Sequence, residues 1–343
     1  MKSRGIALLA GLAALMVAGV VAGAGAAGTD APAAGNIAYA GVDPKDGVSD
    51  VYVVKADGSA KTNLTDDTAN RKDVSPEFSR DGSQIVFVRH NAKGGTQLMV
   101  VKANGTGLID VTPNNVETGN IAEPSWSPDG TQIVFSGNAD GNYELYVLDL
   151  RNGTTNALTR TSAPVQNLDP AWSPTGKAIA FSRIGLASLS ASASIWQLRL
   201  DSVSSPTRLT KTSGGAGDVS PAYSPDGTQI AFSSDRAGNS DVYILDLRSF
   251  ALTKVTTTKD RDAQPSFAPD GTALVYVSNR SGATELWVQR LSTLTPGLSS
   301  PVQVTSDGAP KSHPSWGGIP ALPGTDPVEK PGPMPPVAVA PTA

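Results

Sequence analysis

Pro221-Ala222-Tyr223-Ser224-Pro225-Asp226-Gly227-Thr228-Gln229-Ile230-Ala231-Phe232-Ser233 decides the fold, because the chain repeats this wording along most of its length. Five copies of the segment are full: Pro76 to Gly82, Pro124 to Gly130, Pro170 to Gly176, Pro221 to Gly227 and Pro265 to Gly271. A sixth, His313-Pro314-Ser315-Trp316-Gly317-Gly318, stops before its turn. The leading prolines lie 48, 46, 51, 44 and 49 residues apart. A period of this size marks one supersecondary unit copied many times.

Each copy follows one script. An aromatic stands two residues after the proline: Phe78, Trp126, Trp172, Tyr223, Phe267 and Trp316. A Ser-Pro-Asp-Gly turn follows, in which Pro presets φ and Gly tolerates positive φ. A second aromatic comes nine residues after the first: Phe87, Phe135, Phe181, Phe232 and Tyr276. It lies in an apolar or alternating strand such as Gln132-Ile133-Val134-Phe135-Ser136. After a Gly/Asn/Asp hairpin, a third strand carries Met99, Tyr146, Trp196, Tyr243 or Trp287. A fourth strand ends in Thr65, Thr112, Thr159, Thr210, Thr256 or Thr305. Four short strands per copy make a propeller blade.

The N-terminus supplies what the sixth copy lacks. Asn36-Ile37-Ala38-Tyr39 is a second strand with no first strand before it, and Val51 to Val54 is the third. His313-Pro314-Ser315-Trp316 is the missing first strand. The expected fold is all-β: a six-bladed β-propeller of four-stranded antiparallel blades over residues 36–318. The C-terminal strand joins the N-terminal blade and closes the ring, leaving no unpaired edge at the seam.

Composition agrees. Thirty-five Gly and 26 Pro are too many for a helical protein. A net charge of −4 is wrong for a nucleic-acid binder. The absence of Cys excludes disulfides and thiolate metal sites, and two His, at 90 and 313, do not make a zinc site. Of 19 aromatic residues, 17 occupy equivalent blade positions, with Tyr143 and Phe250 left over. Such rings are expected between blades, as core.

The two ends read differently. Met1-Lys2-Ser3-Arg4, the apolar run Ile6 to Val21 and the small residues to Ala26 form a secretory signal peptide over 1–26. An extracytoplasmic location, periplasmic or secreted, and no membrane span after cleavage are therefore expected. The apolar run is long enough for an uncleaved anchor to be the alternative. Residues 27–35 form a short linker. Residues 319–343 hold 8 of the 26 prolines and are expected to be an unpacked, Pro-rich tail.

The copies Pro124-Ser125-Trp126-Ser127-Pro128-Asp129-Gly130-Thr131-Gln132-Ile133-Val134-Phe135-Ser136 and Pro221 to Arg236 resemble TolB-type, WD-like β-propeller repeats. The resemblance covers residues 36–318. The Trp-Asp dipeptide of true WD repeats is absent. TolB carries an α/β domain ahead of its propeller. Here residues 27–35 alone lie between signal and first strand, so the expectation is the propeller without that domain. The resemblance implies an extracytoplasmic propeller that engages an envelope or extracellular protein or peptide at one face. Similar repeats precede the catalytic domain of prolyl-oligopeptidase-like peptidases, but no Gly-x-Ser-x-Gly elbow occurs in this sequence.

No catalytic residues are indicated. Asp73, Glu123, Asp169, Asp218, Asp262 and His313 stand just ahead of the innermost strands and are expected to ring one mouth of the channel. Three uses compete: solvated caps, a mouth that binds protein or peptide, and a channel cation site built on Glu123 and Asp169. The last would hold Ca²⁺ and make the protein a small-molecule hydrolase or lyase. The binding mouth, in a monomer without cofactor, is the function expected. Asp235-Arg236 and Asn279-Arg280 recur after the second strand and are expected to hydrogen-bond between blades.

Overall fold

The computed structural model describes residues 34–66, 71–91, 94–113, 120–139, 141–185, 192–201, 205–212, 215–291 and 300–317. The expected signal peptide, nearly all of the linker and the Pro-rich tail lie outside the described residues. Among the described residues no helix is long and apolar enough to cross a membrane.

These residues form six antiparallel sheets of four strands. The innermost strands are Lys311–Gly317 in blade 1, Lys72–Phe78 in blade 2 and Ile121–Trp126 in blade 3. Gln166–Trp172, Asp218–Tyr223 and Asp262–Phe267 serve blades 4, 5 and 6. Each touches the next around the ring, and the sixth touches the first. Closure is as expected: Lys311–Gly317 pairs with Asn36–Val42, setting Ile37 opposite Trp316 and Ala38 opposite Ser315. Across the seam Ile37, Tyr39 and Trp316 share a core with Val275 and Leu286 of blade 6.

The repeated residues explain the blade. Tyr39, Phe87, Phe135, Phe181, Phe232 and Tyr276 are fully buried. Each faces the third-strand aromatic, or Met99, in register, as in Phe135 with Tyr146 and Phe181 with Trp196. Three such pairs stack at centroid distances of 5.5, 5.7 and 6.0 Å, a geometry that adds about 0.5–1.5 kcal/mol beyond area burial. The recurrent Thr also has a cause. Its Oγ1 accepts the backbone N–H of the third strand at 2.9–3.0 Å in all six blades, two residues past the end of the short outer strand.

One irregularity recurs six times. The residue before each leading proline has φ between 50° and 55°: Ser75, Glu123, Asp169, Ser220, Gln264 and His313. Together with its proline it forms a two-residue bulge opposite one buried second-strand aromatic. Proline suits a bulge because it brings no N–H to the ladder. A left-handed residue other than Gly costs on the order of 1 kcal/mol. The bulge turns that residue's side chain out of the sheet and into the channel.

Candidate functional site

An innermost strand has a neighbour on one side only, so its other edge would leave N–H groups bare in the channel. Side chains of the preceding blade cover them. Glu123 Oε2 accepts the N–H of Asp169 at 2.8 Å, Asp169 Oδ2 that of Ser220 at 2.9 Å, and Gln264 Oε1 that of His313 at 3.0 Å. Two residues further along, a second ring does the same. Ser315 Oγ, Glu77 Oε1, Ser125 Oγ and Ser266 Oγ accept the N–H groups of Phe78, Trp126, Trp172 and Trp316. The channel cavity has a volume of about 360 Å³ and runs from the bulge residues to the Ser-Pro-Asp-Gly turns.

Burial sets the charges in this channel. Burial and then the Asp169 carboxylate push Glu123 well above the usual carboxylate range. Burial also pushes Glu77 up to about 8, against the lowering effect of its bonds to Trp126 and Ser125. His313 is pushed down by burial, opposed by Asp169, and is neutral. Its tautomer follows from its partner. Because Gln264 Oε1 accepts the His313 N–H, Gln264 Nε2 is the donor to His313 Nε2 at 2.9 Å. The ring proton therefore sits on Nδ1, which is buried and has no partner among the described residues.

The six residues expected at the mouth divide in two. Glu123, Asp169 and His313 line the channel. Asp73, Asp218 and Asp262 do not: they lie two residues earlier, before the bulge, and are buried within their own blades. Asp73 forms a two-point pair with Arg89, Nε to Oδ1 at 2.8 Å and Nη2 to Oδ2 at 2.6 Å. Arg236 Nη2 bonds both oxygens of Asp218 at 2.7 Å, and Arg280 Nη2 bonds Asp262 at 2.8 Å. Arg236 and Arg280 thus act within a blade, not between blades as the sequence leads one to expect. Each also covers an aromatic pair, with Arg236 5.1 Å from the Tyr243 centroid and Arg280 4.7 Å from that of Trp287. Blade 4 uses Asn167 and Arg183 in the same way.

The family model described as the TolB beta propeller domain matches residues 168–317. Over those residues the chain matches a TolB-type β-propeller. Over 166 residues it is 31% identical to a protein TolB homolog of Chlorobium luteolum, a match that takes in 48% of this chain and 35% of that relative. The match thus spans about a third of the relative's length. The fold superposes on the crystal structure of TolB from Acinetobacter baumannii with a TM-score of 0.66 at 23% identity, over 83% of this chain and 67% of that one. It also superposes on an oligogalacturonate lyase in complex with manganese, with a TM-score of 0.53 at 17% identity, over 75% and 71% of the two chains. At these identities the last two likenesses concern the fold alone.

Sequence reasoning missed Glu77, Arg80 and Gln264, which also line the channel. The signal for two of them lay in the repeat. Where blade 2 has Glu77, the other copies have Ser125, Ala171, Ala222, Ser266 and Ser315. Where it has Arg80, four copies have Pro128, Pro174, Pro225 and Pro269. Gln264 leaves no such trace, because its position holds Ser, Glu, Asp, Ser, Gln and His around the ring and has no common residue to depart from.

Proposed function

We propose that the protein is an exported, non-catalytic binding propeller that needs no cofactor and engages a protein or peptide partner at the bulge-side mouth of its channel. The observation that carries this is the convergence of Glu123, Asp169 and His313, from three blades, on one cavity. The adjacent acids Glu123 and Asp169 call for a Lys or Arg from the partner, and His313 Nδ1–H offers a hydrogen bond to a carbonyl. The likeness to TolB homologs supports a partner in the cell envelope.

The test is a pull-down from envelope extract with the wild-type chain, Asp169→Asn and Glu123→Gln as baits. Both variants keep an acceptor oxygen for the neighbouring N–H and should fold. A partner recovered by the wild type and lost from both variants is the expected result. A partner held equally by all three would place recognition elsewhere.

A small-molecule hydrolase or lyase with a cation in the channel is the reading from another class, favoured by the two adjacent acids, Glu123 and Asp169, that line it. Among the described residues no three metal-ligating side chains come together, so Glu123 and Asp169 would need further ligands. Metal analysis of the purified protein separates the two readings: a stoichiometric bound cation favours the enzyme.

A further inference from the structure

The turn-side end of the channel departs from the repeat at one residue. Pro128, Pro174, Pro225 and Pro269 line the cavity there, and blade 2 contributes Arg80 at the same turn position. Proline is the residue this turn prefers, because it presets φ, so the fold alone does not ask for arginine. Arg80 reaches across the mouth. Its Nη2 donates to the carbonyl oxygen of Pro225, on the diametrically opposite blade, at 3.4 Å. A bond of that length is weak.

Among the described residues no carboxylate pairs with Arg80. The acids of the neighbouring turns are committed to their own loops: Ser79, Ser127 and Ser224 donate to Asp81, Asp129 and Asp226 at 2.6, 2.7 and 2.6 Å. None of those acids lines the cavity. The mouth is therefore a rim of apolar prolyl rings with one uncommitted guanidinium over its opening.

We propose that this turn-side mouth binds an organic carboxylate, its head group on Arg80 and its apolar body between the prolyl rings inside the channel. A guanidinium presents two parallel N–H groups that match a carboxylate, and such charge-assisted bonds outweigh the long bond to Pro225. The prolyl walls favour an anion carried on a hydrocarbon body over a compact, strongly hydrated phosphate. The cavity's volume of about 360 Å³ suits a small ligand. The site lies at the opposite end from the bulge-side mouth and does not depend on the partner proposed there.

The probe is hexanoate, titrated into the full chain at constant ionic strength, with the heat of binding and the Arg80 Nε–H resonance followed together. Saturable binding that moves this resonance is expected. Hexanoate should bind more tightly than acetate, inorganic phosphate or hexanamide, its uncharged counterpart. Arg80→Pro restores the residue of the other four turns and so keeps the fold; it should weaken hexanoate about tenfold or more. Equal affinity in wild type and Arg80→Pro would overturn the proposal. So would tighter binding of phosphate or hexanamide, an Arg80 resonance unmoved during binding, or no saturable binding at all.

Discussion

Asp73 and Asp169 stand two residues apart in equivalent strands, one three positions and the other one position before the leading proline. On a regular strand the two positions would share a face. Here they meet opposite fates. Asp73 is sealed against Arg89 inside its blade, while Asp169 lines the channel and receives the N–H of the next blade. The bulge between them makes the difference, since its left-handed residue re-aims one side chain and leaves the other in the ladder. Acids written alike in a repeat can thus serve stability in one position and a site in the next.

The sharpest way to break the comparison is to remove the sealed acid. Asp73→Ala leaves the Arg89 guanidinium buried without that carboxylate, and the side chains are only 3% and 1% exposed. Loss of one partner from a buried pair costs about 3–5 kcal/mol. Urea denaturation should show this loss, and a loss below about 1 kcal/mol would mean the pair is solvated like a surface bridge.

Glu77 stands two residues beyond the bulge-forming pair's first member and extends the comparison to pH. Its pKa is raised from the ordinary carboxylate range to about 8 on folding. The folded state therefore binds the proton more tightly than the unfolded state. The stability this contributes is full below the ordinary carboxylate pKa and is lost as pH rises towards about 8, at up to about 1.4 kcal/mol per pH unit. Glu77→Ser puts in the residue of three other blades, keeps an oxygen for the Trp126 N–H and should flatten that slope. Denaturation midpoints of both chains between pH 5 and 8 check it; parallel curves would show that Glu77 ionises freely.

The channel acid should be the milder loss. Asp169→Ala strips the Ser182 hydroxyl of its acceptor and the Ser220 N–H of one of its two, leaving Ser182 Oγ, at about 1–3 kcal/mol. Asp169→Asn should cost less and, by removing the neighbouring charge, should lower the Glu123 pKa. Carboxyl carbon NMR titration reads that shift, and an unmoved Glu123 would show that burial alone raises it.

The smallest effect has the opposite sign. Arg80→Pro should stabilise the fold by about 0.4–1 kcal/mol, by restricting the unfolded chain at a position where the four other complete turns have proline. A fall in melting temperature would show that the Pro225 contact matters to the fold.

Much of this propeller is legible in its sequence. The number of blades, the strand order within each and the closing strand all follow from the period and from turn chemistry. Both are local: a Pro-Asp-Gly turn or an alternating strand is set by its own residues and their neighbours. The buried aromatics follow too, because one position in six copies can have only one environment in a symmetric ring. The sequence also placed Glu123, Asp169 and His313 beside the innermost strands, and it recorded Glu77 and Arg80 as departures from the repeat.

What the sequence leaves open is set by contacts between blades. The two sets of acids separate only because the bulge adopts φ near 50°, which residues as different as Ser, Glu, Gln and His adopt when the ring requires it. The Glu77 pKa is raised to about 8 because folding buries its carboxyl, not because of anything beside it in the chain. Arg80 meets Pro225 across 145 residues of sequence because closing six blades sets the second opposite the fifth. Side-chain direction, protonation and partners across a channel depend on where distant segments come to rest, and only the folded ring settles that.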